Sequence, residues 1–335
     1  MRFVLSRREF AVSEDWSRTR TTCRCSHEWA ITTVVSLLVA AAAAYGSIHL
    51  NSVIPLLVVS VGVIVLSFFE LLSFVDGRLL SKVLLFASCS LGAHAIASAR
   101  TGEFVADSFI VFDVLQASEF SLAIMLLFAS VSAQWFGFDR RKASVEAGVV
   151  FVAFAYFALA CPMILRLLLH PEYVLFDPDM ALGAPKFSVA AGVYFFLATV
   201  LCCKMSDIGA FLGGYFFGKK LFNAKKMAPR ISPKKTYAGL LFGLLAAWAF
   251  GFAAMTYNPF GRIDDVVAVL FGLVVGVFAV GGDLFMSVLK RSFRVKDTGK
   301  TLPGIGGWLD LSDSVFWAGP PAYFLLMLNY HLVTA

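Results

Sequence analysis

The stretch "DVVAVLFGLVVGVFAVGGDLFMSVLK", Asp265 to Lys290, carries a single charged residue, Asp283, between its two ends. A helix rises about 1.5 Å per residue and the hydrocarbon core of a bilayer is about 30 Å thick, so roughly 20 consecutive apolar residues cross it. This stretch meets that length from 265 to 286 and then turns basic at Lys290 and Arg291. The whole chain, 335 residues with 59% apolar and 15% charged side chains and 34 Phe, has more oily surface than one water-soluble core can cover. Its solvent is lipid.

The same ruler gives about nine candidate spans, at 29–50, 52–75, 79–99, 112–136, 147–169, 187–204, 238–256, 265–286 and 315–333. The first follows a polar stretch and lacks a convincing cleavage site, so it reads as an uncleaved span rather than a signal peptide. Orientation follows from Lys and Arg, which cytoplasmic loops retain. The N-terminal arm holds Arg2, Arg7, Arg8, Arg18, Arg20 and Arg24; alternate loops then hold Arg78 and Lys82, then Arg140, Arg141 and Lys142. Two later loops on that side are richer, with Lys204, Lys219, Lys220, Lys225, Lys226, Arg230, Lys234 and Lys235, then Lys290, Arg291, Arg294, Lys296 and Lys300. The expected fold is therefore an all-α polytopic membrane protein with a cytoplasmic N-terminus and an extracytoplasmic C-terminus. It divides into a basic arm at 1–28, helices one to five at 29–186, and helices six to nine at 187–335. The net charge of +6 is mainly a topology signal, and no nucleic-acid partner is needed to explain it.

Cysteine contributes little. Cys89, Cys161, Cys202 and Cys203 lie in apolar runs, where Cys packs as a small hydrophobe. Cys23, Cys25 and His27 form a C-x-C-x-H in the polar arm, which matches no common zinc spacing.

Chemistry then falls to two long polar segments. The first is "KMSDIGAFLGGYFFGKKLFNAKKMAPRISPKKTYAG", Lys204 to Gly239. Asp207 stands among apolar residues, where a carboxylate is expensive and needs a partner, a metal or a helix end to cap. "SPKKT" offers a Pro-fixed turn whose Lys234 and Lys235 suit either phosphate or anionic headgroups. The second segment is "SVLKRSFRVKDTGKTLPGIGGWLDLSDS", Ser287 to Ser314, with five basic residues, three aspartates and four glycines between two oily runs. Asp283, Ser287 and Lys290 are spaced to share one helix face. "GKTLPGIGG" makes a backbone loop able to point N–H groups at an anion. Asp310 and Asp313, three apart at the start of the last span, either complement the helix dipole or hold a cation. Phosphoryl chemistry accounts for all of them together: carboxylates hold Mg²⁺ or another divalent cation, metal and Lys/Arg neutralise phosphate oxygens, and glycine lets the chain approach.

The pattern S-x-x-K-R-x4-K-D-x-G-x2-L-P-x-x-G-G-x-x-D-x-x-D, from Ser287 to Asp313, resembles the signature of the phosphatidate cytidylyltransferase (CDP-diacylglycerol synthase) family. "DIGAFLGGYFFGKK" and "APRISPKKTYAG" are similar to that family's upstream elements, in the same order, and Glu70 resembles a family glutamate at the end of an early helix. The resemblance implies a nucleotidyltransferase of the cell (inner) membrane, working at the cytoplasmic face, with CTP, phosphatidate and membrane lipids as partners and a homodimer as one assembly open to it. It assigns the chemistry to Asp297, Asp310, Asp313 and Lys296. Metal ligation falls to Asp207, Asp297, Asp310 and Asp313, with Asp283 in second rank. Substrate contact falls to Ser232, Lys234, Lys235, Thr236, Ser287, Lys290, Arg291, Gly306 and Gly307.

The chain departs from that pattern at four positions. Ile305 stands where the family usually has His, Leu311 where it has Arg, and Met286 and Ala238 where glutamates are common. Ile cannot donate a hydrogen bond and Leu cannot neutralise a phosphate. A related CTP-dependent lipid kinase or isoprenoid-lipid cytidylyltransferase uses the same residue types. A transporter or a catalytically silent membrane protein is the alternative of another class, but transport places polar residues near the bilayer midplane, whereas here they gather at one face.

Overall fold

The computed structural model describes residues 35, 38–74, 82, 84–90, 100–101, 110–111, 124–125, 140–169, 185–223, 225–229, 231–303 and 306–334. Helices α1 (Leu38–His49) and α2 (Ile54–Leu72) come first, α2 opening on Pro55, whose missing N–H costs nothing in a first turn. After a helical stretch at 84–90, the two-residue strands β1 (Arg100–Thr101) and β2 (Ile110–Val111) pair antiparallel. Helix α3 (Arg140–Phe154) passes through a π-helical turn, Ala155–Ala160, into α4 (Cys161–Leu169). Then follow α5 (Pro185–Phe222), the hairpin of β3 (Lys226–Ala228) and β4 (Ser232–Thr236), and helices α6 (Tyr237–Thr256), α7 (Asp265–Ser292) and α8 (Trp308–Thr334).

Five helices among the described residues are long and apolar enough to cross a membrane: Ile54–Leu72, Ala147–Leu169, Val189–Lys219, Tyr237–Thr256 and Asp265–Ser292. They fall on the expected spans at 52–75, 147–169, 187–204, 238–256 and 265–286. The basic arm, most of the expected spans at 79–99 and 112–136 and the start of the first lie outside the described residues, so neither the count of nine nor the side of either terminus is fixed.

Three local expectations change. Helix α5 does not stop near Lys204 but continues to Phe222. Lys204 and Asp207, one turn apart, pair at 3.2 Å, so neither charge has to leave the helix to find a partner. Its 38 residues make about 57 Å of helix, longer than a hydrocarbon core requires. Helix α8 begins at Trp308 rather than 315, and its polar residues, Asp310, Asp313 and Asn329 among them, make it less apolar than those five. "SPKKT" is a strand rather than a simple turn, with Lys226 opposite Thr236 and Ala228 opposite Ser232 across a bulge. Both strands of a lone hairpin are edges, which is where a strand tolerates Pro233.

Thr236 ends the hairpin and caps α6, its Oγ1 accepting from Gly239 N at 3.1 Å. Asp264 caps α7 in the same way, accepting from Val266 N at 2.9 Å, and Lys290 and Arg291 complement the dipole at the other end of that helix. One apolar core joins α4 to α8 through Leu168, Phe195, Phe271 and Leu326. A second joins α2, α3 and the π turn to α7 and α8 through Phe68, Tyr156, Phe157, Met286, Leu309 and Phe316. At the α7–α8 contact a Cβ on Gly282 would lie 2.8 Å from Trp317 Cβ and 2.9 Å from the Asp313 carbonyl oxygen, so only glycine lets the two backbones come this close. That approach sets Asp283 beside Asp313. Cys89, Cys161, Cys202 and Cys203 are buried and form no disulfide.

Candidate active site

Helices α5 to α8 and the hairpin surround a cavity of about 350 Å³. Its charged lining is Lys204 and Asp207 from α5, Lys235 from β4, Asp283 from α7, and Asp310 and Asp313 from α8. Ile208, Phe211, Met227, Leu240 and Val280 form an apolar wall. The cavity thus offers both charge and oil to one ligand.

Three lysines pair with three aspartates. Lys204 Nζ lies 3.2 Å from Asp207 Oδ2 and donates to the Leu311 carbonyl at 3.1 Å, tying α5 to α8. Lys235 Nζ stands 2.6 Å from Asp283 Oδ2, joining hairpin to α7, with both side chains partly open to solvent. Lys290 Nζ meets Asp310 Oδ1 at 2.7 Å, and this pair is the most enclosed, at 12% and 6% side-chain exposure. Asp313, only 4% exposed, forms no ion pair among the described residues, and its Oδ1 accepts from the neighbouring Ser314 N at 2.6 Å. The charges acting on it come from Asp283, Lys290, Lys204 and Asp207. Two carboxylates held close in a low-dielectric site repel each other, a cost that a cation relieves.

The glycine loop is arranged differently. Asp310 Oδ2 accepts from Thr298 N at 2.8 Å, from Thr298 Oγ1 at 3.0 Å and from Gly307 N at 3.0 Å. With Gly307 preceding the first residue of α8, the last of these is the reach-back half of a capping box. Gly306 exchanges backbone hydrogen bonds with Leu302 at 2.9 Å and takes φ +118°, a conformation L side chains rarely adopt. A Cβ there would also lie 2.6 Å from Asp310 Oδ2 and 2.8 Å from Asp297 Cβ. Glu70 of α2 accepts from Trp308 N and Leu309 N, both at 3.0 Å. The N–H groups of Gly306 and Gly307, expected to meet substrate, are thus engaged within the protein.

Of the residues singled out from sequence, Asp207, Asp283, Asp310, Asp313, Lys235 and Thr236 come together around the cavity, and Lys290 reaches it through Asp310. Lys296 and Asp297 are exposed and stand off its lining, as do Ser232 and Ser287. Arg291 turns to backbone, donating to Ile231 O at 3.3 Å and Val295 O at 3.1 Å, and so fastens the hairpin to the end of α7. The side chain of Lys234 and all of Ile305 lie outside the described residues. Sequence reasoning passed over Lys204 as a loop charge, although its spacing of three from Asp207 inside an apolar run is the signal of a helix pair. It also had no means of placing Tyr156, which the π-helical turn presents to α8 and whose hydroxyl accepts from Trp317 Nε1.

No group of three or more His, Cys, Asp or Glu among the described residues could by itself hold a metal ion. Mg²⁺ is ordinarily held through one or two carboxylates, with waters and substrate phosphates completing its shell. Asp283 and Asp313 provide such a pair, and their mutual repulsion fits a divalent cation that arrives with a phosphorylated ligand.

The profile of the cytidylyltransferase family matches residues 27–329. The chain belongs to that family. Relatives include phosphatidate cytidylyltransferases of Helicobacter pylori (strain J99), 33% identical over 62% of this chain and 73% of that protein, and of Rickettsia felis, 37% identical over 33% of this chain and 51% of that protein. An uncharacterised protein of Escherichia coli K12, YnbB, is 32% identical over 42% of this chain and 45% of its own length. Cytidylyl transfer is the reaction class of that family. Three of the four departures fall among the described residues. Met286 is buried among Leu309 and Phe316, Ala238 is buried at the start of α6, and Leu311 lines the cavity while its carbonyl receives Lys204. Apolar residues at Met286 and Ala238 fit these dry surroundings, where a glutamate would need a partner.

Proposed function

We propose that the protein is a membrane phosphatidate cytidylyltransferase, which joins CTP to phosphatidate and yields CDP-diacylglycerol and pyrophosphate. The observation that carries this is the cavity itself, with a floor of aspartates and lysines against a wall of Ile208, Phe211, Leu240 and Val280. A nucleoside triphosphate needs the first surface and a diacyl lipid the second. A phosphatidate oxygen attacks the α-phosphorus of CTP, the bond from that phosphorus to the bridging oxygen breaks, and pyrophosphate leaves with its electrons. The nucleophile is already an anion, so positioning and charge neutralisation account for most of the rate.

Lys235 and Lys204 supply positive charge to phosphate oxygens, and the hairpin that carries Lys235 is held by Arg291. Asp283 and Asp313 are the residues that would hold a divalent cation, with Asp207 across the cavity. Such an ion, when bound, would neutralise charge growing on the departing pyrophosphate. Phe211 and Tyr215, 62% and 75% exposed on α5, extend the apolar wall toward lipid. Basic residues at the ends of the same elements, Lys219, Lys226 and Arg291, favour the cytoplasmic side of the cell membrane for the reaction.

The test is incubation of purified protein with phosphatidate, Mg²⁺ and CTP labelled either on the α- or on the γ-phosphate. Label from the α-phosphate should enter lipid with matching release of pyrophosphate. Entry of γ-label would make the protein a lipid kinase instead, and no transfer from either position to phosphatidate would remove the proposed substrate.

A further inference from the structure

Glu70 lies in the last turn of α2, 228 to 239 residues before its partners, and receives four hydrogen bonds. Oε1 accepts from Thr301 Oγ1 at 2.8 Å and Trp308 N at 3.0 Å; Oε2 accepts from Thr298 Oγ1 at 3.1 Å and Leu309 N at 3.0 Å. Trp308 and Leu309 open α8, so their N–H groups have no partner within the helix. A helix N-terminus next to a glycine loop is a ready site for a phosphate group. Here a carboxylate from another helix fills it.

The contacts continue toward the cavity. Thr298 Oγ1 lies 3.1 Å from Glu70 Oε2 and 3.0 Å from Asp310 Oδ2, and its single proton can be given to only one at a time. Thr298 N donates to the same Asp310 oxygen, leaving Oδ1 for Lys290. A line of contacts therefore runs from Glu70 through Thr298 to the Asp310–Lys290 pair at the cavity wall. Each member fixes the next.

We propose that Glu70 is a positioning residue for this site: it occupies the anion-binding end of α8 in place of a substrate phosphate, and through Thr298 it holds Asp310 against Lys290. The proposal rests on the cytidylyltransferase function for its kinetic consequences but not for its structural ones. It follows that the CTP phosphates go to the cavity lysines and not to the backbone of residues 306–309.

Glu70→Gln keeps the size but, whichever way its amide turns, sets an N–H₂ against a backbone N–H, of Trp308 or of Leu309, that can only donate. In the full-length enzyme it should lower kcat on the order of 10- to 100-fold, as loss of a residue that orients a catalytic group does elsewhere, while KM for CTP stays near its starting value. Combined with Asp310→Asn, the loss should be far less than the product of the two single losses, because both break one line of contacts. Thr298→Val, a milder change, should reproduce the kcat effect if Glu70→Gln fails to fold. Amide hydrogen exchange of ligand-free protein should quicken at Thr298 and at 307–309 in Glu70→Gln. Multiplicative losses, unchanged exchange, or a lowered KM for CTP, which would mean that phosphate competes with Glu70 for the helix end, would each overturn the proposal. Should wild-type protein make no CDP-lipid, the exchange measurement still decides the role of Glu70 while the enzymatic function falls separately.

Discussion

The cavity and the glycine loop are built from the same residue types and are finished differently. At the cavity, Asp313 is buried without an ion-pair partner among the described residues and Lys235 reaches in from a hairpin to a half-exposed Asp283. At the loop, the backbone N–H groups of Thr298, Gly306, Gly307, Trp308 and Leu309 are bonded to Asp310, to Glu70 or to the Leu302 carbonyl. Donors already satisfied by a carboxylate gain little from a phosphate, since the exchange leaves the carboxylate to find water. A charge left short of partners in a cavity gains much more. The contrast separates residues placed to meet a ligand from residues placed to close the protein, which composition alone cannot do.

The largest effect should come from Asp313. Asp313→Asn removes a charge but keeps the size and the acceptor for Ser314 N, so the fold has little reason to change. Turnover should fall on the order of 100-fold or more, the range seen when a charge-stabilising group is lost from an active site. Thermal stability should hold or rise, because a buried carboxylate near Asp283 is relieved. The measurement is turnover against Mg²⁺ concentration beside a melting curve. Normal turnover with an unchanged Mg²⁺ requirement would reduce Asp313 to a helix-end acid and erase the distinction between the two regions.

Lysines on the two sides should fail in different ways. Lys290→Met strands Asp310 in an enclosed site, and removing one partner of a buried pair costs about 3 kcal/mol or more. Its melting temperature and its activity should therefore drop together. Lys235→Met leaves Asp283 partly open to water, so stability should change little while KM for CTP rises on the order of 10-fold, the cost of about one charged contact. Equal melting losses in both variants would mean that the hairpin pair is as structural as the loop pair.

Much of the helical frame could be read in advance because apolar run length maps directly onto bilayer thickness, and five of the expected spans match helices of the structure. What failed was local: α5 outruns its expected end because Lys204 and Asp207 satisfy each other, and the SPKKT strand exists only by pairing with Lys226 to Ala228. The site was legible as a set of residue types but not as an arrangement. Asp207, Asp283, Asp310 and Asp313 share a cavity as their chemistry suggests, yet nothing near Gly306 or Gly307 in the sequence says that their loop is held by a glutamate in α2. Local pattern reports helix faces and turns; it carries no information about a partner more than 200 residues away, as Glu70 is from Trp308.

The smallest effect is expected at Lys296, which sequence reasoning placed among the catalytic residues. It is exposed, stands off the cavity lining and makes none of the ion pairs formed among the described residues. An exposed ammonium several residues beyond the end of α7 is well hydrated and screened by salt, so its loss should change little in water. Lys296→Ala should keep turnover within about 3-fold of wild type, a difference of under 1 kcal/mol, typical of an exposed charge. What change there is should fade as ionic strength rises from low to physiological, since a screened, long-range attraction for CTP is the one contribution left to it. A salt series of kcat/KM for wild type and variant separates the cases. A loss of 100-fold that persists at high salt would mean that the loop swings Lys296 into the cavity during turnover, and the sharp division between a ligand-facing cavity and a self-contained loop would have to be given up.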